Sequence, residues 1–463
     1  MRTIGRQRRL RGRAGIVLAA LATLAVGGTT AAAQAFAASG APAAPGSAHC
    51  ELSLARQFFG STTEPYTGKL TPVFRYTLTD THCMSVNIIT YGGDVQAINL
   101  PDRNGRGTTD VILGFKTLSD YVNFDSPPPT SPNFGGPYFG ELIGRYGNRI
   151  ADGTFKLMQP DGILHTYTLP VNNGPNSLHG GFVGFGNHIW ADKPIVTKRF
   201  VGVQLTLVSP NGDEGSGLLP GTKVYEPDCA IPSAPPTKCT GFPATLKVVV
   251  TYTLNNANQL RIHYQATDES PNLNTVLNLT NHAYFNMAGE ASGSAANQLI
   301  RINANTYTPT DSTQIPTGAI VPVAGTPFDF RHLKPIFPSI SDCTAGVSSL
   351  SCQQLLIAHG FDHNWVLNAG PRIDGLTLAA QAVDPASGRE LTVLTDQPGV
   401  QFYTSNFLTG SLVGISGHTY RQTQAYTFET QHFPNSPNQP GFPSTELKAG
   451  QTFTSTTIFA FSF

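Results

Sequence analysis

The sequence predicts an all-β fold, a large antiparallel β-sandwich. Three observations carry the prediction. Hydrophobic alternation at period two recurs along the chain, convincing amphipathic helices are absent, and turn formers abound, with 47 glycines and 35 prolines in 463 residues. Charged residues are only 13% of the chain, about half the ~25% usual for soluble domains. The formal charge of zero lacks the basic excess of a nucleic-acid binder. The 40% hydrophobic fraction is too high for a disordered chain. No period of 20–50 residues recurs, which argues against a propeller or solenoid. The length suits one large sandwich or two ordinary domains.

Residues 1–37 read as a cleavable export signal. Arg2, Arg6, Arg8, Arg9, Arg11 and Arg13 precede the apolar run from Ala14 to Val26, and small-residue sites follow at 31–33 and 35–37. The run is too short to span a ~30 Å hydrocarbon core comfortably. The pair Arg8-Arg9 is a weak sign of twin-arginine export, so the Sec and twin-arginine routes both stay open. Without residues 1–37 the chain has 23 basic and 29 acidic residues, a formal charge of −6. No later stretch approaches ~18 apolar residues, so the mature chain is expected to be soluble and free of the membrane. Residues 38–49, rich in Ala, Pro, Gly and Ser, read as a disordered lead-in to a single domain over 50–463.

Strand patterns follow at 86–91, 94–100 and 203–208. In 244–254, Leu246, Val248, Val250, Tyr252 and Leu254 share one face; Asn255–Asn258 is a turn signal. In 259–267, Leu260, Ile262, Tyr264 and Ala266 share a face, which predicts an antiparallel hairpin. Further runs lie at 299–303, 375–379, 390–395, 400–404 and 453–462. Three segments near 123–137, 210–243 and 338–358 read as surface loop insertions. Six cysteines in an exported chain suggest three disulfides among 15 possible connectivities. Spacing favours Cys229–Cys239 and Cys343–Cys352 as local staples, leaving Cys50–Cys83.

Polar residues stand out at five places. Asn278–Asn286 carries His282 and Tyr284 at period two beyond a strand run. Glu429 is a charge inside the aromatic, β-branched run Tyr426–Pro434, where it must be paired or functional if buried. His179 precedes Gly180-Gly181. Gly144–Ile150 holds Arg145 and Arg149, candidate planar donors for hydroxyls, with Asn148 between them. Asp362 lies between aromatics in Gly360–Trp365. No nucleophile elbow, P-loop, zinc-protease or dinucleotide motif occurs. No His, Asp or Glu pair has a short metal-ligand spacing on one element, so no metal is expected.

In order along the mature chain stand YGGDVQAINLPDRNG, IGRYGNRIADGTF, NSLHGGFVGF, NLTNHAYFNMAG, FDFRH, GFDHNWVL, LTDQPGVQFYTSN and ETQHFPNSPNQPGFPS. Together these resemble the aldose 1-epimerase (galactose mutarotase) family, here in a secreted form. The resemblance implies the galactose mutarotase-like supersandwich and interconversion of α and β anomers of free aldoses such as glucose and galactose, without cofactor. The partner is then a monosaccharide, with no nucleic acid involved; the oligomeric state is unsigned.

By the resemblance, Glu429 is the base at the C1 hydroxyl and His282 the acid at the ring oxygen. That assignment requires a cationic His282 at working pH, favoured by nearby carboxylates. Asn148, Arg149, His179, Asp362 and Gln397 match sugar-binding positions, and Tyr284 is expected to line the pocket. The resemblance selects Arg149 over Arg145. Departures fall at Pro434-Asn435-Ser436, at Arg421–Tyr426, at Asp396 and in the longer, Pro-rich 123–137. They touch the shape of the pocket and leave the proton-transfer groups in place. A non-catalytic sugar-binding module on the same scaffold is the alternative. A sugar-phosphate substrate would call for more Arg and Lys than these motifs supply.

Overall fold

Alternation along the predicted hairpin becomes two long paired strands. Leu246–Asn255 and Gln259–Asp268 run antiparallel in continuous register, Val250 opposite Tyr264 and Tyr252 opposite Ile262. Their apolar faces are fully buried and the opposite faces are open or half-buried. A computed structural model describes residues 50–103, 107–125, 135–215, 238–344, 349–370 and 372–463. The export signal, the lead-in and Cys229 lie outside the described residues. The described residues all belong to one unit, Gly46–Phe463. No helix among them is long and apolar enough to cross a membrane.

Three sheets matter for the site. A five-stranded meander runs Ser53–Thr63, Leu70–Thr79, Ser85–Ile89, Val95–Pro101 and Thr108–Asp110. A nine-stranded sheet contains the hairpin, and the C-terminal strand Thr452–Ser462 sits between Gln259–Asp268 and Glu390–Thr395. A six-stranded sheet is ordered Tyr284–Phe285, Tyr426–Gln431, Gly399–Tyr403, Asp362–Leu367, Ala304–Thr308, Val321–Pro322. One hydrophobic core joins the three: Ile88 and Ile98 from the first, Val248, Ile262 and Phe459 from the second, Phe428, Phe402 and Trp365 from the third.

Strands Tyr426–Gln431 and Gly399–Tyr403 of the six-stranded sheet are buried on both faces, and the period-two rule sorts their side chains. Phe428 lies opposite Phe402 with the rings stacked at 5.4 Å, on the core side. One step along each strand, Glu429 lies opposite Gln401, which lies opposite Asn364; Thr427 lies opposite Tyr403, which lies opposite Asp362. These polar rows occupy the other face.

The segment 338–358, expected as a loop, is instead part of a helical hairpin, Ile336–Thr344 and Leu350–Ile357. Each helix is too short to persist alone in water, so its Ser-rich sequence carries little local helix signal. Tertiary ties hold it. The Ser349 hydroxyl caps the second helix, a Cys343–Cys352 disulfide joins the pair, and Gln354 exchanges hydrogen bonds with the Thr310 backbone (2.6 and 2.8 Å). Cys50–Cys83 is also bonded, tying the N-terminal arm to the meander. For the other two insertions, 126–134 and 216–237 lie outside the described residues.

Candidate active site

A cleft of about 350 Å3 opens on the polar face of the six-stranded sheet, within the ~300–1,000 Å3 range of small-molecule sites. Glu429, Asp362, Tyr403 and Tyr284 reach it from strands of that sheet; His282, His179 and Asn148 reach it from neighbouring turns, and Arg149 from the short strand Arg149–Ile150. The fold thus gathers seven of the eight expected site residues.

His282 follows the short strand Thr280–Asn281. Its backbone is held on both sides, N–H donating to Glu141 O (3.0 Å) and C=O accepting from Gly140 N–H (3.1 Å). Its Nε2 lies 3.4 Å from Glu429 Oε1, with both side chains at least 96% buried. Thr427 donates to Glu429 Oε1 (3.1 Å). Glu429 Oε2 and His282 Nδ1 are buried without a partner. Buried unpaired acceptors of this kind are costly and mark places where a ligand completes the bonding.

Burial also sets the protonation state. It pushes the Glu429 carboxyl up to about 8, with Asp362 adding to the rise. It drives His282 down to about 3. Burial therefore works against the cationic His282 that the acid role requires and favours the proton on Glu429. Desolvation disfavours the charged form of each, the imidazolium of His282 and the carboxylate of Glu429.

His179 stands at the end of the strand Ser177–Leu178, which pairs with Arg149–Ile150. Asn148 donates its backbone N–H to His179 Nδ1 (3.2 Å), and His179 N–H donates to Asn148 O (3.2 Å). Both residues have positive φ, 64° and 51°. Gly180 has φ 95°, and a Cβ there would meet Gly144 O at 2.1 Å, so glycine is required for the turn. The neighbouring Glu214 carboxylate accepts from the N–H groups of Phe182, Val183 and Gly184 at 2.8–2.9 Å, pinning the loop.

His179, His282 and Glu429 each offer a ligand atom within 4.8 Å of the others, a trio that no sequence spacing signals. The His179 hydrogen bond argues for another use. Because Nδ1 accepts, the neutral ring carries its proton on Nε2, whereas a metal-bound imidazole needs that lone pair and donates from the other nitrogen. His179 is set as a hydrogen-bond donor to the cleft.

Arg149 is clamped on three sides. Its Nε donates to Asn173 Oδ1 (2.9 Å), Nη2 donates to Gln314 Oε1, and Nη1 lies 3.6 Å from Asp362 Oδ2. Gln401 donates to Asp362 Oδ1 (2.7 Å). Arg145 does different work: it is buried and donates to the carbonyls of Ser209, Pro210, Pro243 and Ala244 at 2.7–2.9 Å. Tyr284 lines the cleft with its ring 5.1 Å from that of His282, while its hydroxyl is spent on Pro137 O (2.8 Å).

Gln397, the eighth, is absent from the cleft lining. It precedes the strand Gly399–Tyr403, and its carboxamide bonds Ser455 Oγ (2.9 Å) and His432 Nδ1 (2.9 Å). Gln401, not among the lining residues either, lies opposite Glu429 and donates to Asp362; strand register with Glu429 would have found it. Asn173, Gln314 and Tyr138 were also missed. Tyr138 sets its ring 4.8 Å from His179 and 5.9 Å from His282. All three lie on irregular segments, where no periodicity marks a cleft-facing side.

The family model for aldose 1-epimerase matches residues 75–224 and 229–460. Galactose mutarotases of Mus musculus and Homo sapiens are each 38% identical over 379 residues, 82% of this chain and 91% of theirs. The aldose 1-epimerase of Escherichia coli (strain K12) is 30% identical over 387 residues, 83% of this chain and 94% of its own. The crystal structure of an aldose epimerase homologue from C. elegans superposes with a TM-score of 0.64 at 27% identity, covering 82% of this chain and 95% of that one. Galactose 1-epimerase from Lactobacillus acidophilus shares the fold, with a TM-score of 0.66 at 24% identity, covering 89% and 99%.

Proposed function

The chain belongs to the aldose 1-epimerase family, and from that premise we propose that its cleft interconverts the α and β anomers of free hexoses such as glucose and galactose. The observation that carries the assignment of roles is the Glu429–His282 pair, 3.4 Å apart and buried, each partner keeping one unbonded atom. Ring opening removes the proton from O1 and delivers one to the ring oxygen; the C1–O5 bond breaks as the C1=O bond forms. Rotation about C1–C2 turns the other face of the aldehyde to O5, and the reverse transfers close the ring. One base and one acid suffice, and no proton is gained or lost over the cycle.

Glu429 is the base toward O1 and His282 the acid toward the ring oxygen. Before substrate binds, the pair holds its proton on Glu429. Moving that proton to His282 gives the ionised form with no change in total charge. A sugar that donates O1–H to Glu429 and accepts at O5 from His282 bonds to the charged forms and so favours the transfer. His179 donates from Nε2 nearby, and Asn148, Arg149 and Asp362 hold hydroxyls away from C1.

The test follows optical rotation of fresh α-galactose and α-glucose with the mature protein. Acceleration over buffer is expected, and Glu429→Gln and His282→Asn each lower kcat by about 10²–10⁴. Binding without acceleration of any aldose would identify a sugar-binding module instead. The protein works outside the cytoplasm on this reading. The charge and apolar pattern of residues 1–37 and the bonded pairs Cys50–Cys83 and Cys343–Cys352 support it. N-terminal sequencing of protein recovered from culture medium checks it, with a start after residue 37 expected.

A further inference from the structure

We propose that Gln314 and Asn173 are specificity-determining residues, which donate hydrogen bonds to sugar hydroxyls remote from C1 because Arg149 fixes the direction of their carboxamides. The inference rests on the sugar-epimerase reading above and goes beyond it by assigning two contacts that none of the recognised motifs contains.

A guanidinium can only donate. Arg149 Nε and Nη2 therefore demand the oxygen of each amide they touch, Asn173 Oδ1 and Gln314 Oε1. That choice settles which end of each carboxamide is left over: Asn173 Nδ2 and Gln314 Nε2. Neither nitrogen has a hydrogen bond to protein among the described residues, and both residues line the cleft beside Asp362. Their backbones are fixed as well. Gln314 sits at φ 64° in a turn whose Asp311 carboxylate accepts from the N–H of Thr313 (2.8 Å) and Ile315 (3.1 Å). Asn173 sits in a tight turn with Asn176, and Asn176 Nδ2 donates to Thr313 O (3.0 Å), joining the two turns. Asp362, on the other side of Arg149, is acceptor-only when ionised. A hydroxyl is both donor and acceptor, so an acceptor and an oriented donor beside one guanidinium satisfy both of its roles. An analogue lacking that hydroxyl leaves the donors unpaired and is discriminated against.

The test separates donation from the mere support of Arg149. Gln314→Glu keeps an oxygen for Arg149 but has no N–H to give. With galactose, KM is expected to rise about tenfold, near the size of one net hydrogen bond, while kcat stays within about twofold. Gln314→Met, which adds no charge, raises KM by at least as much. Asn173→Asp provides the same comparison at the second site if Gln314 variants do not fold. In a series of galactoses lacking single hydroxyls at C2, C3, C4 or C6, the ratio of variant to parent KM returns to about one for a single analogue, the one missing the bonded hydroxyl. KM within about twofold of the parent for both Gln314→Glu and Asn173→Asp, or a penalty equal across all analogues, overturns the proposal. A parent protein that does not accelerate mutarotation of galactose itself overturns the functional reading instead.

Discussion

Burial acts on Glu429 and His282 in opposite directions, and the consequence is an activity with a defined pH window. The pair must hold one proton. With His282 lowered to about 3 and Glu429 raised to about 8, it does so between those values. Above about 8 the pair is empty and has no acid, so kcat/KM should fall about tenfold per pH unit after correction for hydroxide catalysis. A flat profile to pH 10 would sink this account. The same shift has a stability sign. Glu429 keeps its proton in the folded state up to about 8, while the unfolded carboxyl loses it near 4.5. Folded protein therefore binds more protons across that interval, and this group's contribution falls as pH rises from 4.5 to 8. Glu429→Gln removes the titration. Denaturant titrations at pH 5 and pH 8 should show the variant gaining on the parent at the higher pH. Glu429 was legible in the sequence as a charge in an apolar strand; its protonation was not, because desolvation depends on what the other elements cover.

Elements contribute by where their ends fall. The Ser177–Leu178 strand stops at His179 because Gly180 must turn at φ 95° beside Gly144 O. Gly180→Ala forces that carbonyl or the loop to move, and the His179 imidazole with it. A drop in kcat/KM of at least tenfold is expected by polarimetry, in line with the loss that a misplacement of ~1 Å produces. Unchanged activity would show that the loop tolerates a Cβ. The His-Gly-Gly motif was visible from the start, but its neighbour Gly144 lies 36 residues away and only the fold joins them. Gln397 and Gln401 show the same limit. A four-residue difference along one chain segment separates a residue bonded to Ser455 and His432 from one bonded to Asp362. Motif matching carries no register, whereas pairing with Tyr426–Gln431 does.

At the scale of the molecule, three sheets share one core, and the N-terminal arm is tied to it by Cys50–Cys83 across a sequence separation of 33. Closing a loop of that length restricts the unfolded chain by about 4 kcal/mol. A Cys50→Ser, Cys83→Ser double variant should lose about that much in denaturant unfolding; a loss under ~1 kcal/mol would mean the arm is held by its strand pairing alone. The sequence by itself determined the class of the fold, most of the strands, two of the disulfides seen here and the candidacy of Glu429 and His282. Each of these is written locally, in period-two alternation, in residue spacing, or in a polar residue placed against its surroundings. Only the tertiary structure decided that 338–358 is largely helical, that Arg145 is a strut bonded to four buried carbonyls, that Gln401 and not Gln397 reaches Asp362, and that burial raises the Glu429 carboxyl while lowering His282. Those outcomes depend on contacts between segments far apart in the chain and on the water such contacts exclude, which no local pattern encodes.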